Sequence, residues 1–194
     1  MAEALLPLLD EDKDTAVQNA NEALDGFGPR FEAAYAEGLR RKLGLLQAQP
    51  EDLSLAQGLL ERMAQNGADF TLTFRRLCEA AASPDADAGV RSLFSDPTAY
   101  DCWAEQWRRR LAADGTVATQ ERMSVMRAAN PAVIPRNHLV EEAISAAVNK
   151  GDFAPFESLL AVLARPYNDL PSTFARYADP PRPEQVVGQT FCGT

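Results

Sequence analysis

The sequence predicts an all-α protein, an irregular multi-helix array with an extended proline-rich tail. Three observations carry that expectation. Ala and Leu dominate the apolar residues while Ile occurs only at Ile134 and Ile144, a bias toward helix and away from the β-branched residues strands favour. Apolar residues recur at helical spacing in successive segments. Capping residues, glycines and prolines punctuate those segments where helices would start and stop.

The chain opens abruptly in an apolar, helix-like stretch, Met1 to Leu9, with no capping residue ahead of it and a kink permitted at Pro7. Such a start is expected of a cut through a longer element. Residues 29–43 open with Pro29, suited to a first helical turn, and place Phe31, Tyr35 and Leu39 on one face. Asp52 reads as the N-cap of a helix presenting Leu55, Leu59 and Met63 and ending near Gly67. Asp69 caps the next, with Phe70, Phe74, Leu77 and Cys78 at helical spacing and a stop at Ser83-Pro84.

Pro84 to Gly89 is expected to be a surface loop. Asp96-Pro97 supplies cap and first turn for a helix whose stripe is Tyr100, Trp103, Trp107 and Leu111, closed by Gly115; an aromatic stripe at this spacing is core. A helix from Thr119 ends at Asn130-Pro131, because the residue before a proline is pushed out of helical geometry. Pro135 restarts a helix with Leu139, Val140, Ala143, Ile144 and Ala147 facing inward and Gly151 at its end; Asp152 then caps a helix with Phe156, Leu159, Leu160 and Leu163. From Pro166 the prolines at 171, 180, 181 and 183 deny regular structure, and the segment is expected to be extended, either docked by Tyr177 and Phe191 or mobile. Residues 1–168 are thus expected to form a helical domain and residues 169–194 its tail.

With 28 acidic against 19 basic residues, the formal charge of −9 repels nucleic acid and anionic lipid, so neither is an expected partner. Basic residues cluster at Arg40-Arg41-Lys42, Arg75-Arg76 and Arg108-Arg109-Arg110. A solvated helix face is the expectation for each, an acidic-partner site the alternative. Three irregularly spaced cysteines make neither a disulfide framework nor a zinc site. With no apolar run of membrane-spanning length and no signal-type N-terminus, the expected compartment is the cytoplasm.

The search for chemistry leaves little. No GxGxxG or GxxxxGK[ST] string offers glycines through which backbone amides could approach phosphate. His138 is the only histidine, too few for a zinc hydrolase, and at the start of a helix beside Arg136 and Asn137 it reads as structural. Asp10, Asp12 and Asp14 alternate like calcium ligands, but Thr15 and Asn21 stand where the turn glycine and closing glutamate belong, leaving an acidic loop. Glu141 and Glu142 are adjacent on a helix and do not face each other. Cys192, third from the end of the tail, is the best lone candidate for chemistry, a thiol that can reach a distant partner, with an inert terminal cysteine as the equal alternative; Cys78 and Cys102 are expected to be buried and inert.

A set of segments, in order along nearly the whole chain, carries a resemblance. They are Leu39-Arg40-Arg41-Lys42-Leu43-Gly44-Leu45, the run from Leu59 through Asp69-Phe70-Thr71 and Phe74-Arg75-Arg76-Leu77, and Arg122 to Ile144 with Asn130-Pro131 and Pro135-Arg136-Asn137. Gly151-Asp152, Arg165-Pro166-Tyr167, Tyr177-Ala178-Asp179-Pro180-Pro181 and Phe191-Cys192-Gly193-Thr194 follow. The sequence resembles the C-terminal portion of the SelO-type (selenoprotein O) proteins, which have a protein-kinase-like fold and transfer AMP from ATP to protein hydroxyls.

The resemblance implies distal helices of a kinase-like C-lobe plus the family's own helical extension, apparently truncated at the N-terminus. It implies ATP and Mg2+ for the full-length family, and as partners an upstream kinase-like core and protein substrates. The family's ATP-binding lysine, metal-binding Asn and Asp, and acid/base Asp belong to that upstream core and have no counterpart here, so the chain by itself is expected to be inactive. Cys192 occupies the family's terminal cysteine or selenocysteine position, which implies a redox role. The alternatives are a free-standing helical interaction module and a redox module acting through Cys192.

Overall fold

The computed structural model describes residues 2–188, and all their regular structure is helical, with no strand among them. Ten α-helices are formed among the described residues: α1 Ala2–Leu9, α2 Lys13–Asp25, α3 Phe27–Leu43, α4 Asp52–Asn66, α5 Phe70–Ala80, α6 Asp87–Arg91, α7 Pro97–Ala113, α8 Thr119–Ala129, α9 Asn137–Lys150 and α10 Ala154–Leu163. Three 3₁₀ turns, Pro84–Ala86, Ser172–Tyr177 and Pro183–Gln185, complete the inventory. No described helix is long and apolar enough to cross a membrane. The chain divides into two compact units, Met1–Leu39 and Arg40–Thr194.

In the first unit α1 packs on α2. Asp12 caps α2, accepting the Thr15 amide at 2.9 Å and the Thr15 hydroxyl at 2.8 Å, while Asp10 accepts the Asp12 amide at 2.9 Å. The alternating aspartates therefore serve a helix start. Pro7 lies inside α1. On α3 the aromatics do share a face, but Phe31 and Tyr35 are exposed and only Leu39 is buried.

In the second unit local signals place most helix ends. Gly67, Gly115 and Gly151 terminate helices with positive φ, and Asp69 and Asp96 accept the Leu72 and Thr98 amides at 2.8 and 2.9 Å. Asp152 accepts the Ala154 amide at 3.0 Å just ahead of α10. The segment expected as a loop, Pro84 to Gly89, instead forms a 3₁₀ turn leading into α6. Ser83 caps it, Pro84 fits its first turn, Val90 is buried, and Asp87 accepts from Tyr100 Oη at 2.6 Å and Arg108 at 2.7 Å. A short polar segment held by distant partners carries no periodic signal of its own.

The core is built around α7, which packs on α4 and α6. Trp103 and Trp107 stack with centroids 5.3 Å apart, and their indole N–H groups donate to Leu55 O and Leu43 O, each at 2.9 Å. Those two bonds let large aromatics be buried without stranding a donor. Phe74, Leu77, Val90 and Met126 fill the space between α5, α6 and α8. A second cluster joins Val133, Leu139, Leu159, Val162 and Tyr177. On α9 and α10 the inward expectation fails for Ile144, Phe156 and Leu160, all exposed, and holds for Leu139, Ala143 and Leu159.

Tyr177, 5% exposed, docks the proline-rich segment on this second cluster with Phe174 and Leu170 packed beside it, but the segment is not devoid of regular structure as expected: 3₁₀ turns form at Ser172–Tyr177 and Pro183–Gln185, where Pro171 and Pro183 sit at the turn starts and cost no hydrogen bond. Phe191 lies outside the described residues.

Gly44 ends α3 with φ +72, and a Cβ built there would fall 2.6 Å from Met126 Sδ and 2.9 Å from Met126 Cγ. Met126 is fully buried, so any shift that made room would disturb its packing. Gly67 has a similar φ of +62 but open space around it. Gly44→Ala is therefore expected to cost about 3 kcal/mol and Gly67→Ala about 1 kcal/mol, from left-handed strain alone in the second case. Urea unfolding of the two variants checks the difference; equal losses would contradict the packing argument.

Candidate functional site

The linker between α3 and α4 has no regular structure, and its polar backbone groups are satisfied by side chains from α4, α7 and α8. Arg110, on the same face of α7 as Trp103 and Trp107, is only 6% exposed. Its guanidinium donates to Asp52 Oδ1 at 2.6 Å, to Asp114 Oδ1 at 2.7 Å and to Gln47 O. Asp114 Oδ2 accepts the Leu46 amide at 2.9 Å and Arg122 at 3.1 Å, and Arg122 also donates to Gly44 O and to Leu111 O. Asp52 Oδ2 in turn accepts the Gln49 amide at 2.9 Å. Asp52, read from the sequence as an N-cap, is the first residue of α4 and closes this clamp instead. Burial alone would raise the Asp114 carboxyl, but the hydrogen bonds from Arg110, the Leu46 amide and Arg122 outweigh it and hold it below the usual carboxylate range.

A second junction forms around Asn130, which has no exposed surface. Its Nδ2 donates to Lys42 O at 2.9 Å; its carbonyl accepts Arg75 at 2.9 Å; Lys42 Nζ donates to Ala129 O at 2.9 Å and lies 5.3 Å from the Phe74 ring centroid. Burial lowers the Lys42 ammonium, with the neighbouring Cys78 acting against it. Burial likewise pushes the Cys78 thiol up, and Cys78 is buried as expected.

The basic runs are thus put to internal use and not left as solvated faces. Lys42, Arg75 and Arg110 bridge elements distant in sequence, and Arg76 donates to Gly89 O and Ser92 Oγ. In each run the residue whose register points inward is captured, while Arg41 and Arg109 remain exposed.

Where α9 begins, Arg136 makes a bidentate pair with Asp69 at 2.6 and 3.0 Å and donates to Ala178 O at 2.7 Å, so the cap of α5 is tied to the start of the tail. His138 sits between two clefts. One, of ≈360 Å³, is lined by His138, Glu142, Arg176, Asp179, Arg182 and Gln185 among others; a neighbouring one of ≈270 Å³ also contains Arg136, Pro181 and Val186. Burial, and then the charge of Arg136, lower the His138 imidazole, with Glu142 opposing, so it is neutral at pH 7. Its buried Nδ1 has no hydrogen-bond partner among the described residues, and Glu142 is taken by Arg176 at 3.1 Å, so among these residues no carboxylate orients the imidazole.

The remaining candidates do not converge. Glu141 and Glu142 are exposed on α9, and no group of three His, Cys, Asp or Glu suited to a metal occurs among the described residues. Cys102, expected to be buried, is exposed, because its position on α7 falls opposite the Trp103–Trp107 face. Cys192, the redox candidate, lies outside the described residues. The residues the sequence reading missed are Arg110, Asp114 and Arg122; the available signal was an arginine at a core register of α7, seven positions beyond Trp103.

The sequence profile of the family described as Protein adenylyltransferase SelO matches residues 1–164. The chain belongs to the SelO family. Among curated relatives, a protein nucleotidyltransferase YdiU of Methylorubrum extorquens (strain PA1) is 59% identical over 200 aligned residues, covering 100% of this chain and 40% of the relative. Those of Bradyrhizobium sp. (strain BTAi1) and Rhodopseudomonas palustris (strain BisB5) are 56% and 52% identical, with 100% of this chain and 39% of each relative covered. The chain therefore spans about 40% of the length of these relatives.

Within this SelO-family chain the charged clamp sets an acid sensitivity. The native Asp114 carboxyl lies below its unfolded value, so its stabilisation is fully present above about pH 4, the unfolded carboxylate range, and is lost as pH falls through the lower native value. Asp114→Asn is expected to cost about 3 kcal/mol at pH 7 and to flatten the decline of stability below pH 4. Urea midpoints measured from pH 7 to pH 2.5 test this; an unchanged acid slope would remove Asp114 from the account.

Proposed function

We propose that this chain is the C-terminal helical region of a SelO-type protein nucleotidyltransferase, an enzyme that transfers AMP from ATP to Ser, Thr or Tyr hydroxyls of protein substrates in the cytoplasm. The observation that carries the reading is a family match along the chain combined with coverage of about 40% of the relatives' length. What supports placing Mg2+-ATP elsewhere is that the buried carboxylates Asp52 and Asp114 and the partly buried Asp69 are each committed to guanidinium groups, and that the sequence holds no glycine-rich phosphate loop. In this reading the nucleotide and metal belong to an upstream kinase-like core, and the helices here form its support, with a tail from residue 169 that ends in a redox-responsive Cys192.

The test uses ATP labelled in the α-phosphate. The chain alone with Mg2+ is expected to show no saturable ATP binding by calorimetry and no labelled protein, while the full-length M. extorquens relative labels its substrates; AMP transfer by the chain alone would sink the proposal. The redox part is tested by peroxide treatment and mass spectrometry. Cys192 is expected to oxidise faster than both Cys102 and Cys78; since Cys102 is also exposed, equal rates at Cys192 and Cys102 would remove any special role for the tail thiol.

A further inference from the structure

We infer that the exposed aromatic face of α3 is a docking seat for the part of a YdiU-length polypeptide that this chain does not cover, which makes α1–α3 a docking element. Phe27, Phe31 and Tyr35 follow one another at four-residue spacing, and their rings stack with centroids 5.9 and 6.0 Å apart. They are nevertheless 65%, 56% and 41% exposed. Aromatic side chains bury roughly 150–250 Å² each when covered, so the ladder offers an apolar patch of the size that marks an interaction site.

The unit that carries the ladder has little core to spare. Within residues 1–39 the buried apolar residues are Ala16, Ala20 and Leu39, whereas Leu5, Leu8 and Leu24 stand in water. Two alanines and a leucine are little apolar burial for helices of this total length, and units of roughly 40 residues or fewer usually draw on external support.

Two further observations select the occupant. The greater part of each curated relative's length lies outside the matched region. Residues 1–39 also carry nine acidic and two basic residues, so a second copy would bring like charge against like charge, and an anionic membrane is repelled in the same way. The expected counterpart is an apolar surface with a basic rim. This inference rests on the functional reading above, that the chain works joined to a nucleotide-binding remainder.

The experiment compares the 194-residue chain with a full-length chimera in which it replaces the matching segment of the M. extorquens relative. Both are made with the native ladder, with Phe27→Ser, Phe31→Ser and Tyr35→Ser together, and with all three positions as Leu. In the chain alone the Ser triple variant is expected to leave melting and helicity unchanged. In the chimera it is expected to speed amide exchange across residues 27–39 by at least ~100-fold, while the Leu variant keeps most of the protection. Exchange equally fast in chain and chimera, or unchanged by the Ser substitutions, overturns the inference. So does a dimer of the chain alone, seen by sedimentation, that the Ser variant abolishes. AMP transfer by the same chimeras separates the two claims: protection of α3 without transfer counts against the functional reading only, and transfer indifferent to the ladder counts against the docking seat only.

Discussion

Asp114 brings a negative charge into the interior, and the path of the α3–α4 linker depends on it. Without secondary structure, the linker's amides at Leu46 and Gln49 and its carbonyls at Gly44 and Gln47 need partners of another kind. Asp114, Asp52, Arg110 and Arg122 supply them in one connected network. A buried ion pair of this sort contributes little net stability against a hydrophobic replacement, but removing one member strands the others. The consequence here is uniqueness: one linker path satisfies both carboxylates, and that path fastens α4, α7 and α8 to each other. The tryptophan N–H bonds reinforce the arrangement, since Trp107 takes the Leu43 carbonyl immediately ahead of the linker.

Most of the second unit's helices could be read from the sequence because their ends are local. A capping aspartate, a proline after a β-region residue or a glycine at positive φ acts within a few residues, and α5, α7, α8 and α9 follow those signals closely. The clamp could not be read in the same way. Arg110 and Asp52 are 58 residues apart, and Lys42 and Asn130 are 88 apart, so no window along the chain holds both. Charge runs were expected to face solvent because composition averages over a helix, whereas register decides which member of a run turns inward.

Periodicity has a second blind spot, visible on α3, α9 and α10. A stripe of Phe31 and Tyr35, or of Ile144, Phe156 and Leu160, announces an apolar face without saying what covers it. The stripe of Trp103 and Trp107 has the same spacing and is buried within the second unit. The difference lies in the neighbours, not in the stripe, and a chain covering about 40% of its relatives' length leaves room for covers that lie elsewhere.

The first part of the proline-rich segment is held against the second cluster by side chains far from it in sequence. Tyr177 fixes the tail on the Leu139 and Leu159 cluster, Arg136 holds Ala178 O, and a 3₁₀ turn forms again at Pro183–Gln185. Of the described thiols, Cys78 has no exposed surface and sits against the Phe74 carbonyl and Asn130 Nδ2, so that packing has to open before it can react, whereas Cys102 meets solvent on the outer side of α7.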